Sequence, residues 1–253
     1  MVIWGCDGAR SLSLLDTDTL SLEEEELSID SIATPLGAGS NGTISTTVEV
    51  VEPTRLQIYY PNSSRIELIC GKMPEKTDST VIFMASAAYT VKCKEKFSHD
   101  NIIGNHVSEG HQYRGTSSDT YRGAFVYYNA TPKFVYNDWA KEFELAVENR
   151  GCGFAQDMMI HEGKEVDHWR ESSSENRFRA LCMINGKVAI ADSDGKISFG
   201  NFIQELLKVG ATEAIYLDMG GWDYSWYRDD NGKVIEINPK PNKYATNWIT
   251  FYK

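Results

Sequence analysis

Phe199-Gly-Asn-Phe-Ile-Gln-Glu-Leu-Leu-Lys-Val-Gly-Ala-Thr-Glu-Ala-Ile-Tyr-Leu-Asp-Met-Gly-Gly221 holds a helix, a stop, a buried strand and a carboxylate in one short run. Asn201 is the expected N-cap. Phe202, Ile203, Leu206 and Val209 recur at helical spacing and point inward. Gly210 ends the helix. Ala214–Leu217 then reads as a buried strand that runs into Asp218, with Gly220 and Gly221 just beyond. A carboxylate at the carboxyl end of a buried strand, followed by glycines that admit a ligand to the backbone, has the form of a site. An Asp that merely caps the turn has the same local sequence, so the run alone leaves both readings open.

Outward from this run, short β segments dominate. Thr43–Val51, Arg55–Tyr60, Arg65–Cys70 and Val81–Ala88 read as strands. Gly123–Tyr128 and Lys133–Tyr136 read as a hairpin. A first helix follows, with Asp138 as N-cap, a stripe of Trp139, Phe143, Ala146 and Val147, and Gly151 as the stop. Phe154–His161 reads as one strand. Arg177–Ile184 and Lys187–Ala191 flank Asn185-Gly186, the favoured two-residue hairpin turn. Asn231-Gly232 marks another hairpin, and Trp248–Tyr252 a last strand. Residues 89–122 are polar and carry Gly104, Gly110, Gly115, His99, His106 and His111. An irregular stretch of that length inside a domain is functional or mobile. The expectation is an α+β fold: mixed, hairpin-rich β-sheets with two or more packed helices in a single domain over 41–253. A loosely ordered acidic arm over 1–40 is expected to precede it and to add little to the fold.

The net charge is −11, and nine acids fall between Arg10 and Arg55, where there is no Lys or Arg; that leaves −2 for the rest of the chain. Nucleic-acid binding needs a basic stripe, and none is present. The Glu23–Glu26 run reads as a solvated segment or a docking tail. No stretch approaches the ~18 apolar residues of a membrane helix, and Met1–Cys6 does not open like a signal peptide. The five cysteines contain no C-x-x-C. Cys70 and Cys182 sit in apolar runs and read as small buried hydrophobes. The histidines do not make a metal site by spacing, and no H-E-x-x-H occurs. Phosphate-loop, nucleophile-elbow and dinucleotide fingerprints are all missing, so no cofactor and no metal are expected.

After Asp218 come Trp222, Asp223, Tyr224, Trp226, Tyr227 and Arg228. Aromatic faces beside carboxylates suit a sugar ring and its glycosidic bond. Alternate residues of a strand packing into the core give the same pattern.

The second half also carries a specific order of elements. Arg177-Phe-Arg-Ala-Leu-Cys-Met-Ile-Asn-Gly-Lys187 resembles an R-T-A-I-G-I-x-x-D-G-K hairpin. The helix and strand of 199–221 resemble a helix followed by G-A-x-x-A-x-x-L-D-G-G-G-S. Phe154-Ala-Gln-Asp-Met-Met-Ile-His-Glu-Gly-Lys164 fits a strand ending in x-L-V-x-D-G-K, and Asn247-Trp-Ile-Thr-Phe251 is similar to a closing V-x-N-x-L-x-V. Together they resemble the phosphodiester glycosidase family, which includes the enzyme that uncovers sugar phosphates by removing N-acetylglucosamine. Met219 replaces the first glycine of L-D-G-G-G-S, Trp222 follows Gly221, and the asparagine of an upstream N-G-G-F-F strand is missing near Phe83–Tyr89.

The resemblance implies a glycosidase that cleaves a sugar from a sugar-phosphodiester, in a divergent bacterial and exported member. It implies Asp218 as the carboxylate at the scissile bond and Arg177 as the phosphate clamp, since a planar guanidinium grips two oxygens. Asp223 is the first candidate for a second acid and Glu162 the next. Gly220, Gly221, Trp222, Asn247, Gln156, Arg179 and His106 are the expected substrate-binding residues. Arg177, Asp218, Gly220 and Asn247 are expected around one cleft. The expected partner is a carbohydrate or sugar-phosphate substrate. Two other readings remain at this level. One is a non-catalytic carbohydrate-binding protein on the same fold. The other is a metal-assisted phosphodiesterase using Asp218, Asp223 and a histidine of the 99–111 loop.

Overall fold

Val81-Ile-Phe-Met-Ala-Ser86 is apolar up to its last residue, and the strand it forms is buried along its whole length. Such a run fits only the middle of a sheet covered on both faces. The computed structural model that places it describes residues 46–51, 54–91, 96–116, 120–219, 223–238 and 245–253. The acidic segment 1–40 lies outside the described residues.

In chain order the first strands are β1 (Thr46–Val51), β2 (Leu56–Pro61), β3 (Arg65–Cys70) and β4 (Val81–Ser86). A 3-10 turn, His99–Asn101, precedes β5 (His106–Ser108), β6 (His111–Tyr113), β7 (Gly123–Tyr128) and β8 (Thr131–Tyr136). Helix α1 (Ala140–Glu148) leads to β9 (Cys152–Gln156), β10 (Met158–His161), β11 (Lys164–Glu165) and β12 (Glu175–Asn176). The hairpin of β13 (Arg179–Ile184) and β14 (Lys187–Ser193) is followed by β15 (Ile197–Ser198), α2 (Phe199–Lys208) and β16 (Ala211–Leu217). β17 (Ser225–Arg228), β18 (Val234–Asn238) and β19 (Asn247–Tyr252) complete the order.

A seven-stranded sheet runs β1-β2-β14-β13-β16-β10-β11. One five-stranded sheet runs β18-β17-β4-β19-β3 and another β6-β5-β9-β7-β8, with a small β12-β15 pair. Neighbouring strands in these sheets are antiparallel. Among the described residues 50% are in strands and 12% in helices. The fold is therefore mainly β, and the α+β expectation is corrected. The two helices were both foreseen, but each only covers one face of a sheet. Several strands of two or three residues, such as β5 and β11, are too short to show a period in the sequence.

The core sits where the three large sheets meet. Leu68 of β3, Phe83 of β4, Phe125 of β7, Phe154 of β9, Leu181 of β13, Ile215 of β16 and Phe251 of β19 belong to one buried cluster. The other face of the seven-stranded sheet packs Ala180, Cys182, Ala214 and Tyr216 against Phe199, Phe202, Ile203 and Leu206 of α2. These four sit at i, i+3, i+4 and i+7, one stripe of a helix, and burying each is worth roughly 1.5–3 kcal/mol. The N-cap of α2 is Ser198 rather than Asn201: its Oγ accepts from the Asn201 backbone N–H at 3.3 Å. Phe143 and Ala146 of α1 pack on the third sheet. After α1 the left-handed residue is Arg150 (φ 52°), not Gly151. Gly151 is needed for space instead, since a Cβ there would lie 2.1 Å from the Tyr127 carbonyl oxygen. Asn185 and Gly186 both have positive φ, as the predicted hairpin turn requires.

Candidate active site

Asp157 breaks what reads in the sequence as one strand. β9 ends at Gln156 and β10 begins at Met158, and the two belong to different sheets. The Asp157 carbonyl accepts the Tyr216 N–H of β16 at 2.9 Å. Two residues on, the Asp218 N–H donates to the Ala87 carbonyl at 2.9 Å, just past the end of β4. Elements of all three large sheets thus end at one place, and two buried aspartates stand there, Asp157 and Asp218.

Both carboxylates act on one phenol. Burial is the main cause that pushes the Tyr121 hydroxyl pKa up, and the charges of Asp218 and then Asp157 push it further. Asp218 acts likewise on Tyr216. Tyr121 is admitted by Gly104 (φ +88°), where a Cβ would press on its ring at 3.3 Å. Tyr89, Ile103, Tyr121, Trp169 and Arg170 wall a cavity of about 400 Å³ beside these groups. Tyr89 is the hub of the aromatics, with ring centroids 6.2 Å from Tyr121, 6.0 Å from Trp169 and 5.2 Å from Tyr216. The Arg170 guanidinium donates to the Tyr89 hydroxyl. It also lies 4.9 Å from the Trp169 ring and 5.1 Å from that of Tyr216.

Asp157 is the tuned member of the pair. Its Oδ1 accepts from the Trp169 N–H at 3.4 Å, and its Oδ2 has no hydrogen-bond partner among the described residues. Burial raises its pKa from the ordinary value to about 6, against the pull of the Trp169 N–H, His168 and Arg170. The folded protein therefore binds this proton more tightly than the unfolded chain does. The resulting stabilisation is complete below the unfolded value near pH 4 and is lost as pH rises through about 6. Asp157→Asn should remove that dependence. Between pH 4 and pH 7 the parent should lose roughly 2–3 kcal/mol relative to the variant in urea unfolding. Parallel profiles for the two proteins would show the carboxyl to be hydrated.

A second charged cluster lies in the interior. Arg179 is fully buried and donates from Nε and Nη2 to both oxygens of Asp192 (2.6 and 2.7 Å) and from Nη1 to Asp223 Oδ1 at 2.7 Å. Asp223 Oδ2 accepts from Ser225 Oγ and Asn238 Nδ2, each at 3.3 Å. Burial opposes the charge on Arg179, yet the two carboxylates hold its pKa above the ordinary value. Arg179 and Asp223 are thus committed to each other and to Asp192.

The other predicted residues are dispersed. Arg177 is exposed and lines a different cleft, with Tyr59, Asp192, Tyr227 and Glu236. Arg177 and Arg179 alternate with Phe178, whose ring meets that of Tyr216 on the α2 face of the sheet. Arg177 is therefore not gathered with Asp218. Asn247 does lie beside Asp218 through Ala87–Ala88, but both ends of its amide are used there: Oδ1 accepts the Ala88 N–H at 2.7 Å and Nδ2 donates to the Ala88 carbonyl at 3.0 Å. Gln156 is buried; its Oε1 accepts the Asp157 N–H at 3.0 Å, and its Nε2 has no partner among the described residues. Gly220, Gly221 and Trp222 lie outside the described residues. Tyr224 and Trp226 are core, packed with Met84 and Trp248. Glu162 is an exposed turn residue between β10 and β11. His106 is buried against His99, its Nε2 2.8 Å from His99 Nδ1. The sequence reading passed over Tyr89, Tyr121, Asp157, Trp169 and Arg170. Asp157 stood unmarked inside the run 154–164, and Trp169-Arg170 was the visible signal, an aromatic and a cation together in a polar segment.

The fold is similar to that of a glycosidase catalytic domain. That domain is from zebrafish N-acetylglucosamine-1-phosphodiester alpha-N-acetylglucosaminidase, solved in a form auto-inhibited by its pro-peptide; the match covers 85% of this chain and 85% of that one, with a TM-score of 0.58 and 13% identity. A hypothetical protein from Synechocystis matches over 82% of this chain and 61% of its own length, with a TM-score of 0.50 and 12% identity. At these identities the likeness is one of fold. Neither a family model nor a curated protein matches the sequence.

Proposed function

We propose that this protein is a glycoside hydrolase acting on phosphodiester-linked sugars, with Asp157 and Asp218 as its carboxylate pair. The observation that carries the reading is that the Asp157 carbonyl accepts the N–H of Tyr216, two residues before Asp218, so that two buried aspartates stand together near an aromatic-walled cavity that also presents Arg170. Glycoside cleavage commonly uses two carboxylates of unlike protonation. Asp157, with its pKa raised to about 6, suits proton transfer to the leaving oxygen near neutral pH. Asp218 supplies negative charge to an oxocarbenium-like transition state. Tyr89, Tyr121 and Trp169 offer faces on which a sugar ring stacks. Arg170 is the cation for the phosphate, in the part first assigned to Arg177. A sugar of the N-acetylglucosamine type is the first choice, because the zebrafish domain of similar fold acts on that class.

The test is direct. The purified protein is incubated with an N-acetylglucosamine phosphodiester, and the products are separated. Free sugar and a phosphomonoester are expected. Sugar phosphate and free alcohol would mean attack at phosphorus and a phosphodiesterase instead. Saturable binding with no products would leave a carbohydrate-binding protein.

A further inference from the structure

Cys70, His99 and His106 each bring one ligand atom to a common point, and the three atoms lie within 4.8 Å of one another. They come from three separate elements: the last residue of β3, the 3-10 turn and the first residue of β5. The turn is held by a capping box in which Ser98 and Asn101 satisfy each other's backbone N–H groups. His106 Nδ1 lies 3.2 Å from the Gly104 carbonyl, which can only accept. Nδ1 therefore carries the proton, and the lone pair of Nε2 faces His99 Nδ1 at 2.8 Å. A histidine that donates one N–H to a backbone carbonyl and presents the other nitrogen is oriented as metal-bound histidines are. The rings of Phe97 and Tyr113 wall His99.

We propose that Cys70, His99 and His106 bind a zinc ion that staples the 99–106 segment to the end of β3. The donor set decides the cation. One thiolate and two imidazoles suit a borderline-soft ion, whereas magnesium and calcium take oxygen ligands. Three protein ligands leave the fourth tetrahedral position for water, and Cys70 and His99 are only half-buried. On binding, the Cys70 Sγ–H bond breaks, the sulfur's electron pair goes to zinc and the proton to solvent; His99 gives up the Nδ1 proton it shares with His106 Nε2 and takes one at its own Nε2 from solvent, so that both rings ligate as neutral imidazoles. Glu109 and Asp100, the charged groups that bear on His99, are both anionic and favour a cation there. The stapled segment also carries Ile103 and Gly104, which wall the cavity and seat Tyr121. The ion would thus fix one wall of the candidate active site, and this holds whatever reaction that site performs.

The experiment uses the full chain, stripped with a chelator, dialysed and titrated first with zinc and then with cobalt as a spectroscopic probe. One metal ion per chain is expected. Zinc should raise the thermal midpoint by several degrees, and cobalt should show a thiolate-to-metal charge-transfer band in the near ultraviolet. Cys70→Ser should abolish the band and weaken zinc binding by more than about a hundredfold. His99→Ala should weaken it comparably while keeping the circular dichroism of the parent. No charge-transfer band in the parent would overturn the assignment. So would a zinc stoichiometry and thermal gain that survive unchanged in both variants.

Discussion

Arg179→Met is expected to cost about 3–5 kcal/mol of stability. The reason is what remains behind. Asp192 and Asp223 keep their carboxylates almost wholly buried, Asp192 at the wall of the Arg177 cleft, and the guanidinium that met three of their four oxygens is gone. Ser225 and Asn238 still reach one oxygen of Asp223, but neither carries charge. Against a typical total of 5–15 kcal/mol, a loss of this size removes about a fifth or more of the stability. Arg179→Lys should fall between, because a compact ammonium cannot bridge two carboxylates as a planar fork does. Urea unfolding of the three proteins at neutral pH measures this. An unfolding free energy for Arg179→Met within about 0.5 kcal/mol of the parent's would mean that solvent reaches the pair after all.

Asp218→Asn should lower kcat/KM on a sugar-phosphodiester by on the order of a hundredfold or more, roughly 3 kcal/mol, while the fold is kept. The amide has the shape of the carboxylate but not its charge, and an oxocarbenium-like transition state draws on that charge. The backbone hydrogen bond from Asp218 to Ala87 does not depend on the side chain, so the end of β16 should hold. The measurement is steady-state kinetics on a substrate that the parent cleaves, beside thermal unfolding of both. Undiminished turnover in the variant would remove Asp218 from the chemistry and with it the glycosidase reading of this site.

The hairpins, both helices and the strand leading to Asp218 were legible because each is a local pattern: alternation, a helical stripe or an Asn-Gly turn. The balance of the fold was not. Two strong amphipathic stripes weigh heavily in a sequence, and the pairs β5-β6 and β12-β15 are too short to answer them. The site was half legible. Asp218 ends a pattern and is visible; Asp157 sits inside an apolar run that is buried on either side of a change of sheet, so no period marks it. Arg179 reads as a substrate-binding residue beside Arg177 because nothing in Arg177-Phe-Arg179 tells that Asp192 and Asp223 will come to meet it. Cys70, His99 and His106 are joined only by tertiary contact, which spacing rules do not reach.

The change of sheet at Asp157 has a bearing on how the molecule comes apart. The backbone of Gln156-Asp157-Met158 is the direct covalent link between the third sheet and the seven-stranded one, so the two cannot drift apart without pulling on this residue. Fluctuations that part these two sheets are then expected to disturb the pairing of Asp157 with Asp218 as well. A molecule bound at Asp157 and Asp218 would act as a rivet, and slowed amide exchange should spread from the pocket into both sheets rather than stay with the residues it touches.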